Sequence, residues 1–118
     1  MMGDIQSKWL RLGGVLGFVG LMIVPNVSFA EADKHLHEAI GHAGEAKAHG
    51  EMGHAGEAVK HAEAAKSHAK EAMQEGGNAH VGEGVSHLNE AVDHGKQGHG
   101  EVAGEHSGEA IKHLKQGH

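Results

Sequence analysis

The sequence predicts an all-α protein, a four-helix up-down bundle made of two duplicated αα-hairpins that follow an N-terminal signal-peptide helix. Three observations predict it. Histidines recur every seven residues in four runs of three, and the pattern repeats after a shift of 45 positions. Apolar side chains also keep fixed places in each heptad, whereas the period-two alternation of a half-buried strand is missing.

The first 30 residues are predicted to be a secretory signal peptide. A basic stretch that ends at Arg11 precedes the apolar run Val15–Val24, and a small-x-small cleavage motif ends at Ala30. The apolar run is about half as long as a membrane span requires, although an uncleaved anchor is the alternative. After cleavage, residues 31–118 would form one exported domain that does not contact the membrane.

The composition of this domain leaves little material for a core. The sequence has no cysteine, and its two phenylalanines and single tryptophan all precede the predicted cleavage point. Fifteen of the chain's twenty glycines lie in this domain and add to the difficulty, because each costs about 1 kcal/mol inside a helix. Such a thin domain usually needs a disulfide, a metal ion or oligomerisation. Because the chain has no cysteine, a metal ion or a weak association between copies is the remaining way to stabilise the domain. A monomer is equally compatible with the sequence.

The formal net charge of −6, with histidine counted as neutral, indicates which partners to expect. No basic patch is available to bind phosphates, so nucleic acid is not expected as a partner. An acidic surface attracts cations instead.

The heptad phase of the histidines predicts four helices. If histidine is assigned to position g, positions a, d and e are mostly Ala, Val, Leu, Ile and Met, which gives each segment one apolar stripe. Glycine-bounded turns and a break between the halves predict helices at about 32–49, 54–75, 79–95 and 99–116. The internal repeats extend over 35–75 and 80–118. The four runs are His35, His42 and His49; His54, His61 and His68; His80, His87 and His94; and His99, His106 and His113.

Antiparallel packing within each hairpin should bring these histidines together in pairs. His42 would face His61 and His87 would face His106, with the other pairs following in the same register. Consecutive pairs on this ladder would lie roughly 10.5 Å apart, at a rise of about 1.5 Å per residue. A cation could therefore be shared across a hairpin more easily than along one helix.

Glutamates accompany the histidines at a fixed spacing. Seven lie three residues after a heptad histidine, and all but Glu71 also lie four residues before the next one. These six could supply oxygen ligands or orient the imidazole rings. The predicted carboxylate ligands are Glu38, Glu45, Glu57, Glu83, Glu90 and Glu109.

This set of donors predicts binding of divalent transition metals. Two imidazoles with one or two carboxylates suit Cu(II), Ni(II) or Zn(II), and the usual order of affinities puts Cu(II) first. Absence of thiolates argues against a dedicated Cu(I) site. His37 and His118 fall outside the heptad phase and are expected to be solvated.

Two other functions remain possible. Nothing in the sequence supports an enzymatic function. A b-type haem or electron-transfer bundle could use His and Met ligands, although the lack of aromatic residues disfavours a haem pocket. A pH-responsive interaction protein could exploit the protonation of fourteen histidines. The motif of zinc proteases fails, because after His37 and Glu38 its second histidine would have to stand at Gly41.

The sequence resembles the small metal-binding protein family, SmbP-like periplasmic proteins with histidine-containing heptads. The resemblance lies in HAGEAVKH at 54–61, HVGEGVSHL at 80–88 and EAIKHL at 109–114, and it extends over nearly all of residues 31–118. It implies periplasmic binding of several copper ions, with nickel and zinc also accepted, for buffering, sequestration or storage. The chain departs from the pattern by carrying many glycines, such as Gly100, Gly104 and Gly108.

Overall fold

Four α-helices joined by short turns make up a computed structural model that describes residues 29–117. They are α1 (Phe29–Glu51), α2 (Ala55–Gln74), α3 (Ala79–Lys96) and α4 (Gly100–Leu114). No strand occurs between residues 29 and 117, so the predicted all-α four-helix class is confirmed. The predicted signal peptide falls almost entirely outside the described residues, and the division at Ala30 stays a prediction.

Glycine in a left-handed conformation forms each turn within a hairpin. Gly53 has φ 80° and Gly98 has φ 85°, a region that residues with a side chain rarely adopt. The same bond follows in both turns: the His54 amide donates to the His49 carbonyl at 2.8 Å, and the His99 amide donates to the His94 carbonyl at 2.9 Å. The two hairpins therefore reverse direction in the same way, as their duplicated sequences predict.

The core is built mainly from alanine. Each helix packs against two neighbours, in the cyclic order α1, α2, α3, α4, and α2 buries five alanines along one face. Only Leu88, Leu114 and Val81 contribute large, fully buried apolar side chains among the described residues. Small side chains let the helices approach closely but bury little apolar area, so the hydrophobic stabilisation of the bundle is modest.

Glycines also allow α1 and α4 to approach each other closely. A Cβ added at Gly50 would lie 2.5 Å from the carbonyl oxygen of Gly100 and 2.7 Å from the Cα of Gly104. From sequence alone, these glycines of α4 only weaken the helix, whereas in the fold they form a backbone contact. Among the helices within 29–117, none combines the length and hydropathy needed to cross a bilayer.

Candidate metal centres

The histidines form two ladders, one in the groove between α1 and α2 and one in the groove between α3 and α4. All six predicted cross-hairpin pairs lie side by side, with ring centroids 5.5–6.2 Å apart. The Nδ1 atoms of His35 and His68 are 3.3 Å apart, and those of His87 and His106 are 3.4 Å apart. The predicted register of both hairpins is therefore confirmed, and each cross-hairpin pair is called a rung below.

The rungs are not isolated from one another, which the sequence did not reveal. His68 also stacks on His42, with centroids 5.6 Å apart and planes 2° from parallel, and His61 stacks on His49 at 5.3 Å. The second ladder has the same diagonal contacts, at 5.3 and 5.4 Å. Consecutive histidines of one helix stay roughly 10.5 Å apart, but histidines of the neighbouring helix fill the intervals between them. Each ladder is therefore a continuous column of rings.

Several ring nitrogens in the ladders are shielded from water and have no hydrogen-bond partner among the described residues. They are the Nδ1 atoms of His42, His49, His80 and His113. A carboxylate oxygen of Glu45 or Glu83 lies 3.1–3.4 Å from each of them except that of His49, but none of these contacts has the geometry of a hydrogen bond. Leaving such a buried polar atom unpaired costs about 1–3 kcal/mol, so each needs an explanation. In the tautomer that leaves Nδ1 unprotonated, such a nitrogen in the groove between two helices would be available to a cation.

Four of the predicted glutamates join a histidine rung. The carboxylates of Glu38 and Glu45 lie 3.2 Å from Nδ1 of His68 and His61, the histidines across the groove. In the second ladder, Glu83 lies 3.1 Å from His113, and Glu90 lies 3.4 Å from His106. Each forms a group of two histidines and one glutamate whose donor atoms all lie within 4.8 Å of one another.

The other two predicted glutamates, Glu57 and Glu109, approach no histidine nitrogen within 4.0 Å in the described part of the chain. Glu109 pairs with Lys112 at 3.1 Å, and the hydrogen bond from Lys112 lowers the pKa of its carboxyl group. The register explains both exceptions. Glu57 lies in the same interval between rungs as Glu45, and Glu109 in the same interval as Glu83, so a second carboxylate there would be repelled.

Sequence reasoning set aside a glutamate that the fold brings to the first ladder. Glu71 lies 3.2 Å from Nδ1 of His35 and 3.3 Å from Nδ1 of His68. It was left out because no histidine follows it four residues later. The spacing of three from His68 was a sufficient signal on its own, although Glu31 and Glu75 also lie near His35 at this end of the hairpin.

The rungs next to the turns have only imidazoles. Met52 and Gln97 occupy the position three residues after His49 and His94. Within residues 29–117, no carboxylate oxygen lies within 4.0 Å of a ring nitrogen of these two rungs. Outside the ladders, His37 is exposed, as predicted. His118 lies beyond the described residues.

Comparison with known protein families gives a match. A family model described as "Small metal-binding protein" matches residues 13–117 of the chain. Among curated proteins, no significant match is found.

Proposed function

The chain belongs to the small metal-binding protein family, and we propose that it is an exported, periplasmic buffer that holds several divalent transition-metal ions, Cu(II) in preference to Ni(II) and Zn(II). The ions are cargo, and the chain performs no chemistry on them. The observation that carries this proposal is the pairing of twelve histidines in two ladders whose rings lie side by side across a groove.

The spacing of the donor atoms suits a shared ion. With metal–nitrogen bonds of about 2.0–2.1 Å, two nitrogens that share an ion lie about 2.8–3.0 Å apart at right angles and about 3.3–3.4 Å apart at tetrahedral angles. The Nδ1–Nδ1 distances of 3.3 Å for His35 and His68 and 3.4 Å for His87 and His106 match the tetrahedral spacing and need a contraction of about 0.5 Å for right-angled ligands. A bound ion would also satisfy the unpaired nitrogens.

The donor set supports Cu(II) as the preferred ion. In the three-donor groups, such as His42, Glu45 and His61, two imidazoles and a carboxylate leave at least one position for water. Cu(II) accepts such nitrogen and oxygen ligands in a tetragonal arrangement and leads the divalent ions in affinity. Export fits a buffer, because the predicted signal peptide would deliver the chain to a compartment where it meets incoming metal.

We expect the double variant His42→Ala, His61→Ala to lose one bound Cu(II). If each rung holds one ion, the wild-type chain takes up six, one for each histidine pair. Native mass spectrometry during competitive titration with Cu(II), Ni(II) and Zn(II) measures both the number of ions and the preference.

The matched control for this variant is His37→Ala, because His37 is on the same helix as His42 but is exposed and lies outside the ladder. It should bind as many ions as the wild type. Unchanged copper uptake by the double variant, or an equal loss in the control, would show that metal binding follows histidine content and not the ladders.

Acidification should release the ions. An imidazole nitrogen binds a metal only when it is deprotonated, so protons compete with the ion. Equilibrium dialysis of the copper-loaded chain should show nearly full retention at about pH 7 and release towards about pH 5. Retention that does not change over this range would exclude imidazole as the main ligand.

A further inference from the structure

We infer that the open end of the first hairpin holds a closed, four-ligand site formed by His35, Glu38, His68 and Glu71, which binds one Zn(II) and clamps α1 to α2. The remaining rungs are open and exchange their ions. The inference rests on the proposed function, which it deepens by dividing the ladder into one structural site and several cargo sites.

The distances between the four donor atoms distinguish this site from the other rungs. Nδ1 of His35 lies 3.3 Å from Nδ1 of His68, and Glu71 lies 3.2 and 3.3 Å from these two nitrogens. Glu38 lies 3.2 Å from His68 and 3.8 Å from His35. These five separations, from 3.2 to 3.8 Å, lie near the edge of about 3.3 Å that tetrahedral coordination requires with bonds of about 2.0–2.1 Å. The group whose donor atoms all lie within 4.8 Å of one another is His35, Glu38 and His68, without Glu71. A bound ion would therefore have to draw Glu71 and Glu38 closer together.

Charge also separates this site from the others. Two carboxylates neutralise a divalent ion completely, whereas the three-donor groups supply one carboxylate and the turn rungs supply none. The electrostatic attraction between the ion and its ligands is therefore strongest at the site with two carboxylates and weakest at the turn rungs. The first equivalent of metal should therefore settle at the open end.

A fifth residue would orient one of the ligands. The Oε1 atom of Glu75 is buried without a hydrogen-bond partner in the described chain and lies 3.7 Å from Nε2 of His35. A small movement lets Nε2–H donate to this carboxylate, which fixes the proton on Nε2 and leaves the lone pair of Nδ1 facing the ion. Histidine ligands in zinc sites are commonly oriented in this way.

The ligand set and its location indicate a structural role for Zn(II). Zinc has no preference for tetragonal geometry, and its structural sites are closed and four-coordinate, whereas Cu(II) favours the open rungs. The site lies at the end of the hairpin opposite the turn at Gly53. At this end, no covalent connection joins α1 to α2. The corresponding rung of the second hairpin has Gln116 where the first has Glu71, so this clamp occurs in one hairpin only.

Co(II) added to the full, metal-free chain provides a spectroscopic test. The first equivalent should give the intense visible bands of four-coordinate Co(II), and one equivalent of Zn(II) should remove them. Glu71→Gln should abolish these bands and weaken the first Zn(II) by at least about tenfold. The variant should also lose the rise in melting temperature that one equivalent of Zn(II) gives to the wild type.

The matched control is Glu57→Gln, which makes the same change on the same helix and at the same heptad position, away from any histidine nitrogen. It should keep both the bands and the rise in melting temperature. Weak bands of higher coordination in the wild type, or equal losses in the two variants, would overturn the closed site. A chain that binds Cu(II) at its other rungs in that event still supports the proposed function, whereas a chain that binds no Cu(II) contradicts both.

Discussion

Saturation with Cu(II) should raise the melting temperature of the chain more than any single substitution in its core could. An ion that binds only the folded state adds about 2.7 kcal/mol at a free concentration one hundred times its dissociation constant. With a core built mainly from alanine, the unliganded bundle is expected to be only modestly stable. Binding at several rungs would therefore supply a large part of the total stability.

Circular dichroism of the chain with and without Cu(II) measures both helicity and melting temperature. The double variant His42→Ala, His61→Ala should retain most of the rise, because it removes one rung and leaves the others. Removing Glu38 and Glu45, two of the carboxylates of the first ladder, should reduce the rise further than removing Glu57 with Glu109. Helicity and melting temperature that do not respond to Cu(II) would show that binding is not coupled to folding.

The location of the ladders limits what metal can stabilise. Both ladders lie within a hairpin, α1 with α2 and α3 with α4, so an ion crosses no boundary between the hairpins. Those boundaries depend on other contacts, such as the ion pair of Lys96 with Glu63 and the glycine contact of α1 with α4. Metal therefore reinforces each half, while the joining of the halves depends on packing.

The sequence was sufficient to predict the helices and the pairing of the histidines, because both depend on local periodicity. A heptad repeat fixes which face is apolar, and a short turn fixes which neighbour is antiparallel. His42 and His61 face each other for that reason alone, without any information on distant contacts. The ladder is a consequence of chain reversal at a defined glycine, here Gly53.

The carboxylates were predicted less well, because their placement depends on competition across the groove. Glu45 and Glu57 satisfy the same spacing rule on neighbouring helices but share one interval, and only Glu45 approaches a histidine. Glu71 lies beyond the last rung and approaches both His35 and His68, although Glu31 and Glu75 are also near His35 there. A spacing rule within one helix cannot predict whether a carboxylate of the neighbouring helix already occupies the same interval between rungs.

The contact between α1 and α4 was also beyond the reach of periodicity. In a sequence, a helical glycine indicates only lost propensity, and Gly104 interrupts a pattern that Ala would continue. The structure shows that this position lies against the α1 backbone: an added Cβ would be 3.1 Å from the Lys47 carbonyl oxygen and 3.2 Å from the Glu51 nitrogen. Close approach of two backbones is a tertiary property.

Gly50→Ala should therefore destabilise the metal-free bundle, although alanine favours helix more than glycine does. Its Cβ would meet backbone atoms of Gly100 and Gly104 at 2.5 and 2.7 Å, and a backbone cannot turn aside as a side chain can. Overpacking of this kind typically costs about 1–3 kcal/mol. Urea unfolding of the metal-free chain measures the change in the free energy of unfolding.

Gly44→Ala is the matched control, because it makes the same change on the same helix where an added Cβ meets nothing within 4 Å. There, alanine should stabilise the chain by up to about 1 kcal/mol. The two variants should thus change stability in opposite directions, although their sequence changes are identical in kind. If Gly50→Ala stabilised the chain as much as Gly44→Ala does, α1 and α4 would have to be farther apart than the structure places them. The two hairpins would then be joined mainly through α2 and α3.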